Sequence, residues 1–300
     1  MERGGVVYPD MWTSTEGRKG HDLLPNALRT QELDQLAEDL SVLRNSSAHT
    51  IILSAEDLVE LDDIQLYKLG SLLSDDVVTV VFYIRRWSET LVSGWKENVL
   101  HGATYSLPKF LIDHLGRPEL SHHINPGPRI QKFCDTFGRS CVKIISYNHI
   151  AEAEEDIFTH FLSSILNMRL NGLPDVGRVH LSPDAHESEL ARVLNVSQSL
   201  SGGFYLLNKE CFDTVALFDD MRAYETRIEL DEADKGLSSI EADVHARFGD
   251  LLISPLHSGR FFTPKNHSVT YIDPNYLLNK SSRLLVEDLA RQVQRLQAAT

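Results

Sequence analysis

The chain has 300 residues, 42% of them hydrophobic and 24% charged, with 43 acidic against 29 basic side chains and a net charge of −14. That length can bury a full core, and the acidic balance disfavours nucleic acid or an anionic membrane surface as the main partner. No apolar run reaches the ~18 residues of a membrane span, and Met1–Pro9 lacks the basic-then-apolar layout of a signal peptide. The expected setting is therefore cytoplasmic. Cys134, Cys141 and Cys211 form no Cys-x-x-Cys pair, which fits a reducing compartment better than a disulfide framework.

The first half alternates strand and helix signals. Gly5–Tyr8 is a short apolar stub, and a polar loop follows to Gly20. Residues 25–44 predict one helix, with Leu28, Leu33, Leu36, Leu40 and Leu43 on a stripe and Pro25 in its first turn. His49–Leu53 reads as a buried strand, and Ser54-Ala-Glu-Asp57 opens a helical stretch. Val77–Ile84 is the strongest strand signal and is apolar on both faces, as in a central parallel strand. Helices are expected over 88–101, stopped by Gly102, then over 107–115 and around 128–137. Cys141–Ser146 is a third buried strand. Beyond Ala151 the pattern turns helical: Glu155–Met168, His186–Ser199, parts of 208–248, and an amphipathic Arg283–Leu296. The reading is an α/β core over residues 1–150 with a mainly helical part over 151–300, packed as one body.

Arg85 and Arg86 stand where the Val77–Ile84 strand ends, the end at which open parallel sheets bind ligands. Ser88 is a natural N-cap there, so free N–H groups and the positive end of the helix dipole gather at the same place. Ser93 follows eight residues after Arg85, on the next helix. An arginine fork and a serine hydroxyl so placed can hold one phosphate. The competing reading is an arginine paired with a nearby acid, such as Asp57 or Glu89.

The run Tyr83-Ile-Arg-Arg-Trp-Ser-Glu-Thr-Leu-Val-Ser-Gly-Trp95 resembles the 3′-phosphate-binding segment of sulfotransferases that use 3′-phosphoadenosine-5′-phosphosulfate (PAPS). The resemblance implies that Arg85 and Ser93, with Arg86 beside them, bind the 3′-phosphate of that nucleotide. Gly5–Pro9 with the later His21, the strand ending Leu53–Glu56, His101-Gly102, Phe137-Gly138 and the Phe161–Leu166 stretch fit the bacterial branch of the same family. The likeness spans roughly residues 5–170. It implies a P-loop NTPase-like parallel sheet flanked by helices, with a helical C-terminal part.

The family's phosphosulfate cradle, a Lys-Ser/Thr-Gly-Thr-Thr-like loop after the first strand, has no counterpart, and no G-x-x-x-x-G-K-[ST] occurs. Gly17-Arg-Lys-Gly20 is basic and glycine-rich, but no apolar strand leads into it. The expected sheet therefore misses its first central strand. That absence would leave the Val77–Ile84 strand with unpaired groups, which points to an incomplete chain or a degenerate enzyme. Sulfuryl transfer needs a base at the acceptor hydroxyl, and the resemblance offers Glu56 or His21. Ser54-x-x-Asp57 is equally a capping pattern, with Glu56 a favourable first-turn acid. The expected activity is sulfuryl transfer from PAPS, as co-substrate and without a metal, to a hydroxyl of a carbohydrate or small acceptor. The rival is a non-catalytic binding protein on the same fold.

Overall fold

The computed structural model describes residues 2–3, 5–13, 20–168, 183–198, 215–253, 260–263 and 265–297. In chain order the elements begin with β1 (Glu2–Arg3), β2 (Val6–Val7), α1 (Leu23–Thr30), α2 (Leu33–Arg44), β3 (Thr50–Ile51), α3 (Asp63–Leu72) and β4 (Val80–Ile84). Next come α4 (Trp87–Leu100), α5 (Leu107–Leu115), α6 (Gly127–Phe137), β5 (Val142–Ser146), α7 (Tyr147–Glu152), α8 (Ile157–Ser164) and α9 (Ala185–Gln198). The series ends with α10 (Val215–Arg222), β6 (Glu225–Glu229), α11 (Asp231–Gly236), α12 (Ser238–Phe248), β7 (Ser268–Ile272) and α13 (Lys280–Gln297). The α/β class expected from the alternation is what forms.

The strands make small sheets. β2 pairs antiparallel with β1 and parallel with β3, in the register Val6↔Thr50 and Val7↔Ile51. Gly5 turns the chain between β1 and β2 at φ +83°, and a Cβ there would stand 2.7 Å from the His49 ring, so only glycine serves. β4 pairs with β5, and β6 pairs antiparallel with β7. Among the described residues these remain separate sheets, and no continuous central sheet joins them.

Two compact units result. One comprises Met1–Phe82 with Gly127–Ile144, the other Tyr83–Pro126 with Ile145–Thr300, so the division falls within β4 and within β5. The first unit is built on leucines: Leu24 and Leu28 from α1, Leu36, Leu40 and Leu43 from α2, and Leu66 and Leu69 from α3, all buried. Helix α3 starts with a reciprocal cap, in which the Gln65 N–H donates to the Asp62 carboxylate and Gln65 Oε1 accepts from the Asp62 N–H. It packs on α6, close enough that a Cβ on Gly70 would lie 2.7 Å from Thr136.

The second unit has its main apolar cluster between α9, α10, β7 and α13, where Leu190, Leu194, Met221, Ile272, Tyr276 and Leu289 meet. Helix α9 also anchors α4. Asn195 Nδ2 donates to the carbonyls of Val99 (2.7 Å) and Ala103 (3.0 Å), and Arg192 Nη1 donates to that of Thr104 (3.1 Å). Gly102, at φ +101° just past α4, ends that helix as its sequence predicts.

Several sequence expectations need correction. The single helix expected over 25–44 is two, because Gln31 takes the left-handed conformation at φ 65° and the chain turns there. The Val77–Ile84 strand begins only at Val80; Val77 is fully exposed at 101%, and Val80–Tyr83 are half-buried. β4 is thus not sheathed on both faces as its composition suggested. The C-terminal part is not wholly helical, since Glu225–Glu229 and Ser268–Ile272 form a ladder over five residue pairs. The Gly17–Gly20 loop up to Lys19, as well as His180 and Cys211, lies outside the described residues.

Candidate functional site

The turn from β4 into α4 is fixed by residues far away in sequence. Arg86 is the N-cap of α4, and its backbone N–H donates to Asn148 Oδ1 at 2.7 Å. Asn148 Nδ2 in turn donates to Glu89 Oε2 at 3.0 Å. Ser88, expected as the cap, lies one residue inside the helix; its N–H and Oγ donate to the two oxygens of Asp234 at 3.2 and 2.9 Å. The carboxylate on α11 therefore caps this helix. Among its first residues, the Ser88 N–H is not available to a ligand.

Arg85 projects with its side chain 43% exposed. Its Nε donates to Glu89 Oε2 at 3.0 Å, and its guanidinium lies 5.4 Å from the centre of the Tyr147 ring. Glu89 is thus the acid that Arg85 meets, whereas Asp57 pairs with Arg29 at 3.4 Å. Burial alone would raise the Glu89 pKa, but hydrogen bonds from Arg85 and Asn148 and the charges of Arg85 and Arg86 outweigh it and hold the carboxyl below its usual range. Ser93 is half-buried on α4, and its hydroxyl makes no hydrogen bond among the described residues.

One turn further along the same helix face is Lys96. Its Nζ donates to the Pro183 carbonyl at 2.6 Å. Burial holds its pKa below the usual lysine range, against the pull of Asp184 and Glu187 and with a further push from Arg85. Ser93 and Lys96 thus lie one turn apart on α4, and Arg85, just before the helix, is near enough to push on the Lys96 charge. Sequence reasoning passed over Lys96, although its spacing of three from Ser93 was legible.

Arg86 faces a different environment. It is 3% exposed, its Nη2 donates to the Thr263 carbonyl at 2.7 Å, and Glu89, Glu152 and Asp234 stand 3.5, 3.9 and 3.9 Å away. It is a buried structural cation at this turn, apart from the exposed guanidinium of Arg85.

Glu56 and His21 belong to the other unit, and both are close to Ser54. Glu56 opens a single 3-10 turn, Glu56–Glu60, with an exposed side chain. Ala55 is the cap of that turn and no side-chain capping bond forms, so the Ser54-x-x-Asp57 capping pattern is not realised. His21 is fully buried at 0% exposure. The Ser54 N–H donates to its Nδ1 at 2.9 Å, and its Nε2 lies 2.9 Å from the Pro9 carbonyl oxygen. A carbonyl only accepts, so Nε2 carries the proton, and both ring nitrogens are engaged. The Ser54 carbonyl, 3.2 Å from Nδ1, already accepts the His21 backbone N–H at 2.7 Å. His21 staples the segment after β2 to the segment after β3.

The His122 and His123 rings lie 4.2 Å apart and tilted, with His114 at 5.0 Å from His123. Among the described residues no group of three or more His, Cys, Asp or Glu is placed to hold a metal ion. No described helix is long and apolar enough to cross a membrane.

No family model, no curated protein and no solved structure matches this chain. The functional reading rests on the residues themselves.

Proposed function

We propose that the chain is sulfotransferase-like and that Arg85, just before α4, with Ser93 and Lys96 on that helix, forms the 3′-phosphate half of a PAPS site. In this reading the fold is of the P-loop type. The observation that carries it is the exposed Arg85 at the carboxyl end of β4, eight residues before a serine whose hydroxyl is unengaged. Arg85 and Lys96 repel each other, and a phosphate between them would relieve that repulsion. The Arg85–Glu89 pair does not stand in the way. A hydrogen bond to a charged phosphate contributes about 1.5–3 kcal/mol, to set against the Arg85–Glu89 pair, whose side chains are 43% and 19% exposed.

With PAPS bound, the donor would supply an activated sulfuryl group, and an acceptor hydroxyl of a carbohydrate or small molecule would receive it. Arg85 would orient the 3′-phosphate through its fork, Ser93 would donate its hydroxyl hydrogen, and Lys96 would add charge. Of the two base candidates, Glu56 is exposed and without a partner among the described residues, whereas His21 has both nitrogens committed. That commitment also favours the second reading, a binding protein of the same ancestry that does not catalyse transfer.

Calorimetric titration with adenosine 3′,5′-bisphosphate tests the site. Saturable binding that weakens at least about tenfold in Arg85→Ala, one charge-assisted hydrogen bond's worth, supports it. Folded protein that does not bind, or binding indifferent to Arg85→Ala, rejects it. Transfer of labelled sulfate from PAPS to a mixed carbohydrate panel then separates enzyme from binding protein.

A further inference from the structure

Three histidines meet where the segment after α5 folds back towards α4. His114 is on α5, and His122 and His123 follow the 3-10 turn Pro118–Leu120. Their ring centres lie 4.2 Å (His122–His123), 5.0 Å (His114–His123) and 6.4 Å (His114–His122) apart. The same rings fasten the segment. His114 Nδ1 is 2.7 Å from Ser121 Oγ. The Ser121 carbonyl accepts the N–H groups of Ile124 (3.1 Å) and Asn125 (2.9 Å), and Ile124 is fully buried. His123 lies so close to α4 that a Cβ on Gly94 would stand 3.0 Å from its ring.

Neutral imidazoles can share this space, whereas charged ones repel one another. Phe110, 4.2 Å from the His114 ring and 5.7 Å from that of His123, adds an apolar wall, which disfavours charge. Helix α5 packs on α4 and on the Pro118–Leu120 turn, and the other charges on these elements have counter-charges near them. On α5, Asp113 favours a proton on His114, but Lys109 holds that carboxylate at 2.6 Å. On α4, Glu97 meets His101, just past the helix, at 2.8 Å. Arg117 and Glu119, at the turn, are exposed and opposite in sign. Tyr105, stacked on Phe110 at 5.7 Å, has its pKa raised by burial and is uncharged. Burial first, and then the charge of His122, holds the His114 pKa below the usual histidine value.

We propose that His114, His122 and His123 form an acid-sensitive latch, which holds residues 117–126 against α4 while the rings are neutral and releases them when the rings take up protons. Release uncovers α4 at Gly94, the residue after Ser93. The sign follows from His114, which binds its proton less readily in the closed state than when free. The closed state therefore has its full stability above the free value of about 6.5 and loses it as the pH falls below that. The latch stands whether or not the chain binds PAPS.

The test is amide hydrogen exchange of the full chain at pH 7.5 and pH 5.5, each rate divided by that of an unstructured amide at the same pH. Opening that takes up one proton grows up to about tenfold per pH unit. Protection over residues 117–126 should therefore fall at least about twofold, and up to about tenfold for one proton, while α13 keeps its protection. His114→Asn, which removes the titrating ring, should abolish the response. His122→Gln changes an exposed side chain, so the fold is kept, and it should lessen the response. A change under about twofold in the unaltered chain, an equal fall in α13, or a response that His122→Gln leaves intact overturns the proposal.

Discussion

Asn148 joins the two halves of the β4–α4 turn: its Oδ1 accepts the Arg86 N–H at 2.7 Å, and its Nδ2 donates to Glu89 at 3.0 Å. Glu89 pairs with Arg85 of the proposed phosphate face, yet Asn148 lies 59 residues further along the chain. Asn148→Ala leaves the Arg86 N–H without its acceptor, at a cost of about 1–3 kcal/mol. Asn148→Asp keeps that acceptor but sets a second carboxylate against Glu89, and should be at least as destabilising. Urea denaturation of the three proteins checks the order.

His21 predicts a stability phenotype, whatever its part in chemistry. Removal of the ring leaves the Ser54 N–H and the Pro9 carbonyl unpaired in a buried site, next to Tyr8 at 4.4 Å. His21→Ala should therefore cost about 2–5 kcal/mol. A variant of normal stability would contradict the staple.

Glu189 and Arg192 form a bidentate pair at 2.7 Å on α9, with Glu189 1% exposed. Burial raises the Glu189 pKa, only partly offset by the hydrogen bonds and charge of Arg192. Loss of either partner alone strands the other's charge, costing about 3–5 kcal/mol. Replacing both by Glu189→Leu/Arg192→Met should cost much less than the sum of the single changes. A double-mutant cycle in chemical denaturation reads this directly.

Glu89 makes stability depend on acid. Its folded pKa lies below that of the free side chain, so its contribution is complete above the unfolded pKa of about 4.3. The contribution fades as pH falls through the folded value. Glu89→Gln should therefore flatten the fall of the melting temperature below about pH 5, and the same change should loosen Arg85.

Much of the helical frame was readable. Leu107–Leu115 forms over the residues that its spacing marks, and α4 stops at the glycine that can turn left-handed. The misplaced elements share a cause. Gln31 breaks a continuous apolar stripe by one backbone angle that no pattern announces, and β6 and β7 gain their strand character from each other across 38 intervening residues or more. The candidate site follows the same division. Arg85 and Ser93 were visible as a local unit, whereas Asp234 capping Ser88 and Thr263 holding Arg86 are contacts 146 and 177 residues apart. Tertiary contacts at such separations leave no local signature.

The first unit takes α3 from one stretch of chain and α6 from another, with residues 83–126 spent elsewhere in between. During synthesis, the leucine-rich segment up to Phe82 must wait until residue 144 has emerged before its unit can close. Through that interval the α3 surface around Gly70, which fits against Thr136, has nothing to pack on. A nascent chain halted near residue 126 would expose that face and be an early substrate for chaperones or proteases.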